Sequence, residues 1–379
     1  MKWVWKALRP AAPCVLVIGA LLAAPLSWAD ANLERNTSHA LQRSEQFPSY
    51  QQDAALIRQT YESQLYTLPA FKMGHYGLRM YRQTQHDKYQ AAVWADTARV
   101  ASRLNYFASE VYTPEQISAY SAQRLERYSK KTDVRSVLRY QTTRDTPEYF
   151  YLGVDLLGSM ARANEYGLKH RDDDKLRQVI RRYDFSKYAT DPEMIKAWAA
   201  QLANQVYWLR QLDEQDVVDE FIAAFRATYP DDKDASLSDQ QYMNKLYGMT
   251  HIILAATEYY QYDVDEENFQ WIYDYYRTHI DSIIQRSKAD VVAEIGINFL
   301  LAGEENDPVV AKTRQVIQQS LNRKAGMVPA VNGSTNLKDG EHRNVLAIML
   351  LDWHSANAVP TIQQQPTMFD GLPYGLVSQ

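Results

Sequence analysis

The most informative part of the chain lies at residues 288–303 and reads KADVVAEIGINFLLAG, which is apolar around most of the circumference of a helix. The segment before it, residues 266–285, carries a single apolar stripe at helical spacing, made of Phe269, Ile272, Tyr276, Ile280 and Ile283. A helix with one stripe covers a core, whereas a helix that is apolar all round is buried within one. The pair therefore predicts an outer helix followed by an inner helix.

The same alternation is found in other segments from residue 147 onward. Segment 213–228 has one stripe, while segment 341–354 is apolar on nearly every side. A capping residue followed by a proline marks three helix starts, at Thr113-Pro114, Asp191-Pro192 and Asp307-Pro308. The periodicity and these breaks together predict helices at 51–67, 71–84, 88–108, 114–130, 147–167, 173–184, 192–211, 213–228, 240–260, 266–285, 288–303, 308–322 and 341–354.

These patterns predict an all-α protein in which short connections make neighbouring helices antiparallel. About six helical hairpins of alternating character would close into an α/α toroid, with an inner ring of helices wrapped by an outer ring. An open solenoid of helical hairpins shows the same alternation and stays an alternative. We expect a single domain at residues 30–354, followed by an irregular C-terminal tail at residues 355–379.

The first 29 residues have the layout of a secretory signal peptide. Three cations precede an apolar run at residues 14–26, and a small-x-small cleavage site ends at Ala29. The run is shorter than the roughly 20 residues that span a bilayer as a helix. Cleavage would remove three cations and no acid, which takes the formal net charge from −5 to −8. We expect a periplasmic or secreted protein without a transmembrane anchor.

The composition excludes several classes of protein. The acidic balance argues against nucleic-acid binding. The only cysteine, Cys14, lies in the signal peptide, so the mature chain has no disulfide and no thiolate. The eight histidines include no His-x-x-x-His pair, so we predict neither a metal site nor a cofactor. The 27 tyrosines outnumber the 10 phenylalanines and 8 tryptophans, and a tyrosine suits sugar binding as well as helix packing.

The toroid prediction indicates where functional side chains would lie. If the hairpins close, the N-terminal halves of the inner helices surround one mouth, where polar side chains such as Asp155 would converge. His251 lies in a mostly apolar run and is either an acid/base histidine or a hydrogen-bonded core residue. Asp290 and Glu294 share one helix face. They are catalytic or substrate-binding carboxylates, or they pair with arginines, because an unpaired buried charge is costly.

The strongest local feature is a polar run that reads GEHRN at residues 340–344 and opens a helix that is otherwise wholly apolar. Four groups of different chemistry follow each other there. Glu341 is an acid or base candidate, His342 is a base, and Arg343 and Asn344 are substrate clamps.

A long irregular stretch at residues 322–340 comes directly before this run. Loops of this length in compact domains are often lids or binding loops. In the simpler alternative Asp339 caps the following helix, and the loop only spans the seam of the toroid.

The order of three motifs resembles an exported bacterial protein family known as a domain of unknown function. The motifs are YGMTHII at residues 247–253, the helix that carries Asp290 and Glu294, and the GEHRN run. The resemblance extends to Trp353 and implies no activity. The alternation of helices is also similar to the α/α toroids of glycoside hydrolases, polysaccharide lyases and terpenoid cyclases, and this likeness concerns the fold alone.

Two functional hypotheses follow. In the first, the protein binds a glycan or another envelope component and cleaves it as a hydrolase or lyase. Glu341 or Glu294 would then donate a proton, and His251 or His342 would accept one. In the second, the protein is a non-enzymatic helical scaffold or assembly factor that holds a periplasmic protein partner. This second hypothesis predicts that the polar residues are paired with each other.

Overall fold

The computed structural model describes residues 48–358 and 360–379, and the predicted signal peptide lies outside them. The described part of the chain is all-α, as predicted. Its α-helices, α1 to α15, are Tyr50–Glu62, Ala70–Thr84, Gln90–Glu110, Pro114–Ser129, Val134–Thr143, Leu157–Glu165, Asp173–Ile180, Ser186–Ala189, Pro192–Gln211, Val218–Thr228, Asp239–Ala256, Gln270–Arg286, Ala289–Leu301, Pro308–Ser320 and Leu337–Leu351. A π-helical segment, Phe150–Leu156, leads directly into α6.

The capping residues fix the predicted helix starts. The Thr113 side chain accepts from the Gln116 N–H at the start of α4, and Gln116 reaches back in a full capping box. Asp191 and Asp307 accept from the first N–H groups of α9 and α14 in the same way. The starts at residues 114, 192 and 308 are therefore confirmed.

Several helices differ from the sequence prediction: the predicted helices 147–167, 213–228 and 240–260 are shorter in the structure, at Leu157–Glu165, Val218–Thr228 and Asp239–Ala256. Two further differences bear on the candidate site. Helix α5, capped by Asp133, falls in a segment for which no helix was predicted. Helix α15 begins four residues early, because the Asn336 side chain accepts from the Asp339 N–H. Asp339 is therefore not the cap, and Glu341 lies in the second turn of the helix instead of the first.

Burial along the helices follows the predicted alternation of outer and inner character. The apolar stripe of α12 is buried while its other face is exposed. In α13 every residue from Val291 to Leu301 is buried. An all-round apolar helix is therefore surrounded by protein, as its pattern indicates.

Residues Tyr50–Gln379 form one compact unit, in which the order of helix contacts is cyclic. Helix α2 packs on α3, α3 on α6, α6 on α9, α9 on α11, α11 on α13, α13 on α15, and α15 again on α2. An open array would keep its first and last hairpins apart. The cyclic order is the one that a closed array requires, and the two-ring toroid itself stays a prediction.

The C-terminal segment, predicted as an irregular tail, packs on the helical domain. Strand β2, Leu376–Ser378, pairs in antiparallel fashion with β1, Leu168–His170, which follows α6. Phe369 and Leu376 are buried.

Most tyrosines pack inside the protein. They are buried or half-buried, except for four exposed ones, Tyr66, Tyr106, Tyr262 and Tyr374. Among the described residues, no helix combines the length and apolarity needed to cross a membrane.

Candidate functional site

Three predicted site residues from three adjacent helices meet at Glu294. Helix α13, which carries Glu294, packs between α11 and α15. The Glu294 side chain is 1 % exposed, and its Oε2 accepts from the Thr250 hydroxyl at 2.7 Å. Its Oε1 lies 3.4 Å from Nε2 of His342 and 3.9 Å from Nε2 of His251. The structure therefore brings Glu294, His251 and His342 together.

Glu341 forms a second carboxylate–histidine pair with a residue that the sequence analysis did not select. Its side chain is 0 % exposed, and Oε1 lies 2.5 Å from Nδ1 of His75 in α2. The Lys72 ammonium lies 3.3 Å from Oε2. The packing of α2 against α15 places both partners at Glu341.

The two pairs face each other through their imidazole rings. The ring centroids of His75 and His342 are 5.3 Å apart. Phe71, one turn before His75, is 52 % exposed, and its ring lies 6.0 Å from that of His75. We call His75, His251 and His342 the histidine cluster. The side chains of His75 and His342 are 14 % and 34 % exposed, so solvent reaches the cluster beside an exposed aromatic ring.

The carboxylates and the imidazole of His75 differ in their charge at neutral pH. Burial opposes ionisation of Glu341, but the charges and the hydrogen bond contributed by His75 and Lys72 outweigh it and lower its pKa to about 2. Burial likewise opposes ionisation of Glu294, and the contacts with His342 and His251 lower its pKa overall. Burial lowers the pKa of His75 to about 3. At neutral pH, both carboxylates are therefore ionised and His75 is neutral.

This protonation pattern determines which His75 nitrogen can act as a base. An ionised carboxylate only accepts hydrogen bonds, so Nδ1 of His75 carries the proton and donates it to Glu341. Nε2 is then left with its lone pair, oriented by the carboxylate behind the ring. The arrangement is that of an oriented general base.

His251 is held by a strained turn at the end of α11. Burial lowers its pKa to about 4. Its Nδ1 lies 3.1 Å from both the Tyr259 hydroxyl and the Asn204 side-chain oxygen. Tyr259 belongs to the segment 258–260, in which three consecutive non-glycine residues have φ of 47°, 58° and 75°. Such conformations cost about 1–3 kcal/mol each and cluster at functional sites.

Asp290 lies one turn before Glu294 and is bound by a tyrosine. The Tyr247 hydroxyl donates to its Oδ2 at 2.6 Å. Its Oδ1 is buried without a hydrogen bond in the described part of the protein. Buried acceptors of this kind generally bind water or a ligand. Asp290 thus keeps acceptor capacity beside Glu294.

The structure places Asp155 in a separate ion cluster. It accepts from Arg103 at 2.5 Å, from Arg124 at 2.9 Å and from the Tyr120 hydroxyl at 2.9 Å. These partners come from α3 and α4, and no contact joins Asp155 to the histidine cluster within the described residues.

Arg343 and Asn344, predicted as substrate clamps, bind the loop 322–340. The Asn344 side chain accepts from the Val328 N–H at 2.7 Å and donates to the carbonyls of Val328 and Gly340, both at 3.0 Å. Arg343 donates to the Val328 carbonyl at 3.2 Å. Asn344 is therefore occupied by the protein itself, and these two residues anchor the base of the loop.

The residues that the sequence analysis missed lie mainly on α2. Phe71, His75 and Arg79 are spaced by four residues, which puts them on one helix face. This spacing was the available signal, but it does not reveal that the face turns towards Glu341. Among the described residues, no group of three or more His, Cys, Asp or Glu side chains is arranged to hold a metal ion.

Comparison with known proteins supplies a family and no activity. No curated protein and no solved structure matches the chain. One family model does match, and it extends over residues 50–379, which is the whole compact unit. The chain therefore belongs to the family described as Domain of unknown function (DUF3541).

Proposed function

We propose that this protein is exported to the periplasm and there binds and cleaves a glycan of the cell envelope. The observation that carries the proposal is the pair of facing histidine–carboxylate units, with imidazole centroids 5.3 Å apart, on buried and ionised Glu341 and Glu294. Two oriented imidazoles at this spacing suit an acid and a base acting on neighbouring atoms of one substrate.

The lowered pKa values of His75 and of the two carboxylates restrict the roles within the pair. Because the pKa values of Glu341 and Glu294 are lowered, neither carboxylate donates a proton at neutral pH. We therefore replace the proton-donor role expected for them by an orienting role. His75, neutral with a free Nε2, is the base of the proposal, and His342, whose Nε2 faces Glu294, is the proton donor. Hydrolysis and elimination both need such a pair.

Aromatic residues around the cluster support a sugar as the substrate. The exposed Phe71 ring offers a face next to His75, and Tyr247 and Tyr259 are half-buried next to His251. Sugar rings stack on aromatic faces while hydroxyl groups bind their oxygens. A closed toroid would place this cluster at its mouth, which is why we retain the toroid in the proposal.

The scaffold hypothesis is supported by a different observation. Asp155 is fully paired with Arg103, Arg124 and Tyr120, as a purely structural role requires. If the protein is a scaffold, substitutions at His75 and His342 leave its cellular role intact. A stoichiometric periplasmic complex that survives these substitutions would favour it.

The test uses the mature chain and its single-residue variants. Soluble envelope glycans are screened by calorimetric binding, by reducing-end release and by the ultraviolet absorbance of an unsaturated elimination product. We expect His75→Asn and His342→Asn to lose cleavage and keep binding. The matched control is His354→Asn at an exposed histidine outside the cluster. Absence of binding to every glycan by the wild-type protein would refute the proposal.

A further inference from the structure

Two arginines next to the histidine cluster have no carboxylate partner within the described residues. They are Arg79, in α2, and Arg135, in α5. Neither lies within 4.0 Å of an acidic oxygen there. Each packs on a tyrosine whose ring neighbours that of His251.

Arg79 is almost fully buried, with 5 % of its surface exposed. Its guanidinium carbon lies 5.8 Å from the ring centroid of Tyr259 and 5.5 Å from that of Tyr260. One Nη donates to the carbonyl of His75 at 3.3 Å, and its Nε is buried without a hydrogen-bond partner in the described structure. The strained turn therefore holds the charge against two aromatic rings and leaves a donor unused.

Arg135 packs on the ring of Tyr247, as Arg79 packs on the rings of Tyr259 and Tyr260. Its guanidinium carbon lies 5.5 Å from the centroid of that ring, and its Nε is also buried without a partner among the described residues. Tyr247 in turn binds Asp290 through its hydroxyl. The charges of Arg79 and Arg135 both act on His251, where they add to burial in lowering its pKa.

Several other arginines are paired with carboxylates, whereas buried Arg139 donates to the Ala197 carbonyl and the Gln201 side-chain oxygen. Arg82, one turn after Arg79, binds Glu165 at 2.5 Å. Arg103 and Arg124 share Asp155. A buried charge without a partner costs several kcal/mol in general. Arg79 is such a charge beside a candidate active site, and half-buried Arg135 lies against the other tyrosine that neighbours His251. We therefore infer that the missing partner is a ligand.

We propose that the glycan of the proposed function is anionic, and that Arg79 and Arg135 bind the carboxylate of a uronic acid unit in it. This inference rests on the proposed function and names its substrate class. The planar guanidinium fork matches a planar carboxylate. The half-buried rings of Tyr247 and Tyr259 add faces on which the same sugar unit packs.

The binding experiment compares matched ligands on the full mature chain. The probes are a uronic acid oligosaccharide, the same oligosaccharide with its carboxylates reduced to alcohols, and a sulfated neutral oligosaccharide of equal length. We expect the uronic acid form to bind about tenfold or more tightly than the reduced form, since hydrogen bonds to charged groups are worth about 1.5–3 kcal/mol. The difference should shrink with added salt.

Single substitutions test whether the two arginines cause the preference for the uronic acid form. Arg79→Gln and Arg135→Gln should each remove most of the preference for the carboxylate and leave binding of the reduced form unchanged. Arg127→Gln, at an exposed arginine of α4, is the control. Should Arg79→Gln fail to fold, as judged by circular dichroism, Arg79→Lys and Arg135→Gln take its place.

The outcomes separate the inference from the proposed function. Equal binding of the uronic acid and reduced forms, with cleavage retained, overturns the inference and leaves the proposed function standing. Preference for the sulfated form overturns the assignment to a carboxylate. No binding of any glycan refutes both.

Discussion

Replacing His75 with asparagine should flatten the dependence of stability on pH. Asn keeps a donor near the position of Nδ1, so the hydrogen bond to Glu341 can be retained, while the titrating group is lost. In the wild-type protein, burial lowers the pKa of His75 from 6.5 to about 3. Below pH 6.5 the unfolded chain therefore takes up a proton that the native protein does not bind.

The sign and size of the effect follow from this difference in bound protons. Stability falls as the pH falls from 6.5 towards 3, and one proton corresponds to about 1.4 kcal/mol per pH unit. Between pH 6.5 and 5.0 the wild-type protein should lose about 2 kcal/mol through His75 alone. His251, whose pKa is lowered to about 4, contributes a similar amount that the variant keeps.

The assay is urea unfolding followed by tryptophan fluorescence at several pH values between 5.0 and 7.0. We expect the slope of unfolding free energy against pH to be smaller in His75→Asn than in the wild-type protein, by about half a proton at pH 6.5 and by about one proton at pH 5.0. His354→Asn measures the general effect of losing a histidine. An unchanged slope in His75→Asn would mean that His75 has the same pKa in the native and the unfolded protein, and a larger slope would mean that it is protonated in the native protein. In either case the assignment of its Nε2 as a base would fail.

Three further substitutions test other parts of the structure. Asn344→Leu removes the side chain that binds both backbone groups of Val328, so it should lower the unfolding free energy by about 2–4 kcal/mol in urea and speed limited proteolysis of the loop. Gly296→Ala would place a methyl group 2.4 Å from the Thr313 hydroxyl, so it should cost about 1–3 kcal/mol in thermal unfolding. Phe71→Ala should weaken glycan binding about three- to tenfold in calorimetry, without a change in thermal stability.

Controls for these variants come from the same chain. Asn332→Leu, in the exposed turn of the loop, should leave stability nearly unchanged. Tyr66→Ala removes another exposed ring, 63 % exposed, that lies outside α2. Equal losses of glycan affinity in Tyr66→Ala and Phe71→Ala would argue against a specific platform beside His75. An Asn344→Leu protein as stable as the wild type would show that the loop is anchored elsewhere.

The helices were largely predictable because their signals are local. Helix α9 occupies residues 192–211, as predicted, since a cap with a following proline sets its start and the periodicity covers its whole length. Helix α5 was missed although Val134, Val137 and Leu138 have helical spacing. Its buried face is formed instead by the polar residues Ser136, Arg139 and Thr143. The start of α15 was misplaced because either Asn336 or Asp339 could cap it from the sequence alone, and backbone geometry selects Asn336.

The candidate site was only half predictable, for a reason that lies in its geometry. Glu294, His251 and His342 stand out as polar residues in apolar helices, and burial alone requires them to find partners. His75 gives no such signal, because its helix carries many polar residues and its partner Glu341 is 266 positions away in the chain. What makes His75 a base is the ionised carboxylate behind its ring, and only the packing of α2 on α15 puts it there. The same packing carries Arg79 to the tyrosines of the strained turn, so that one helix supplies the base of the proposed reaction and one arginine of the proposed anion site.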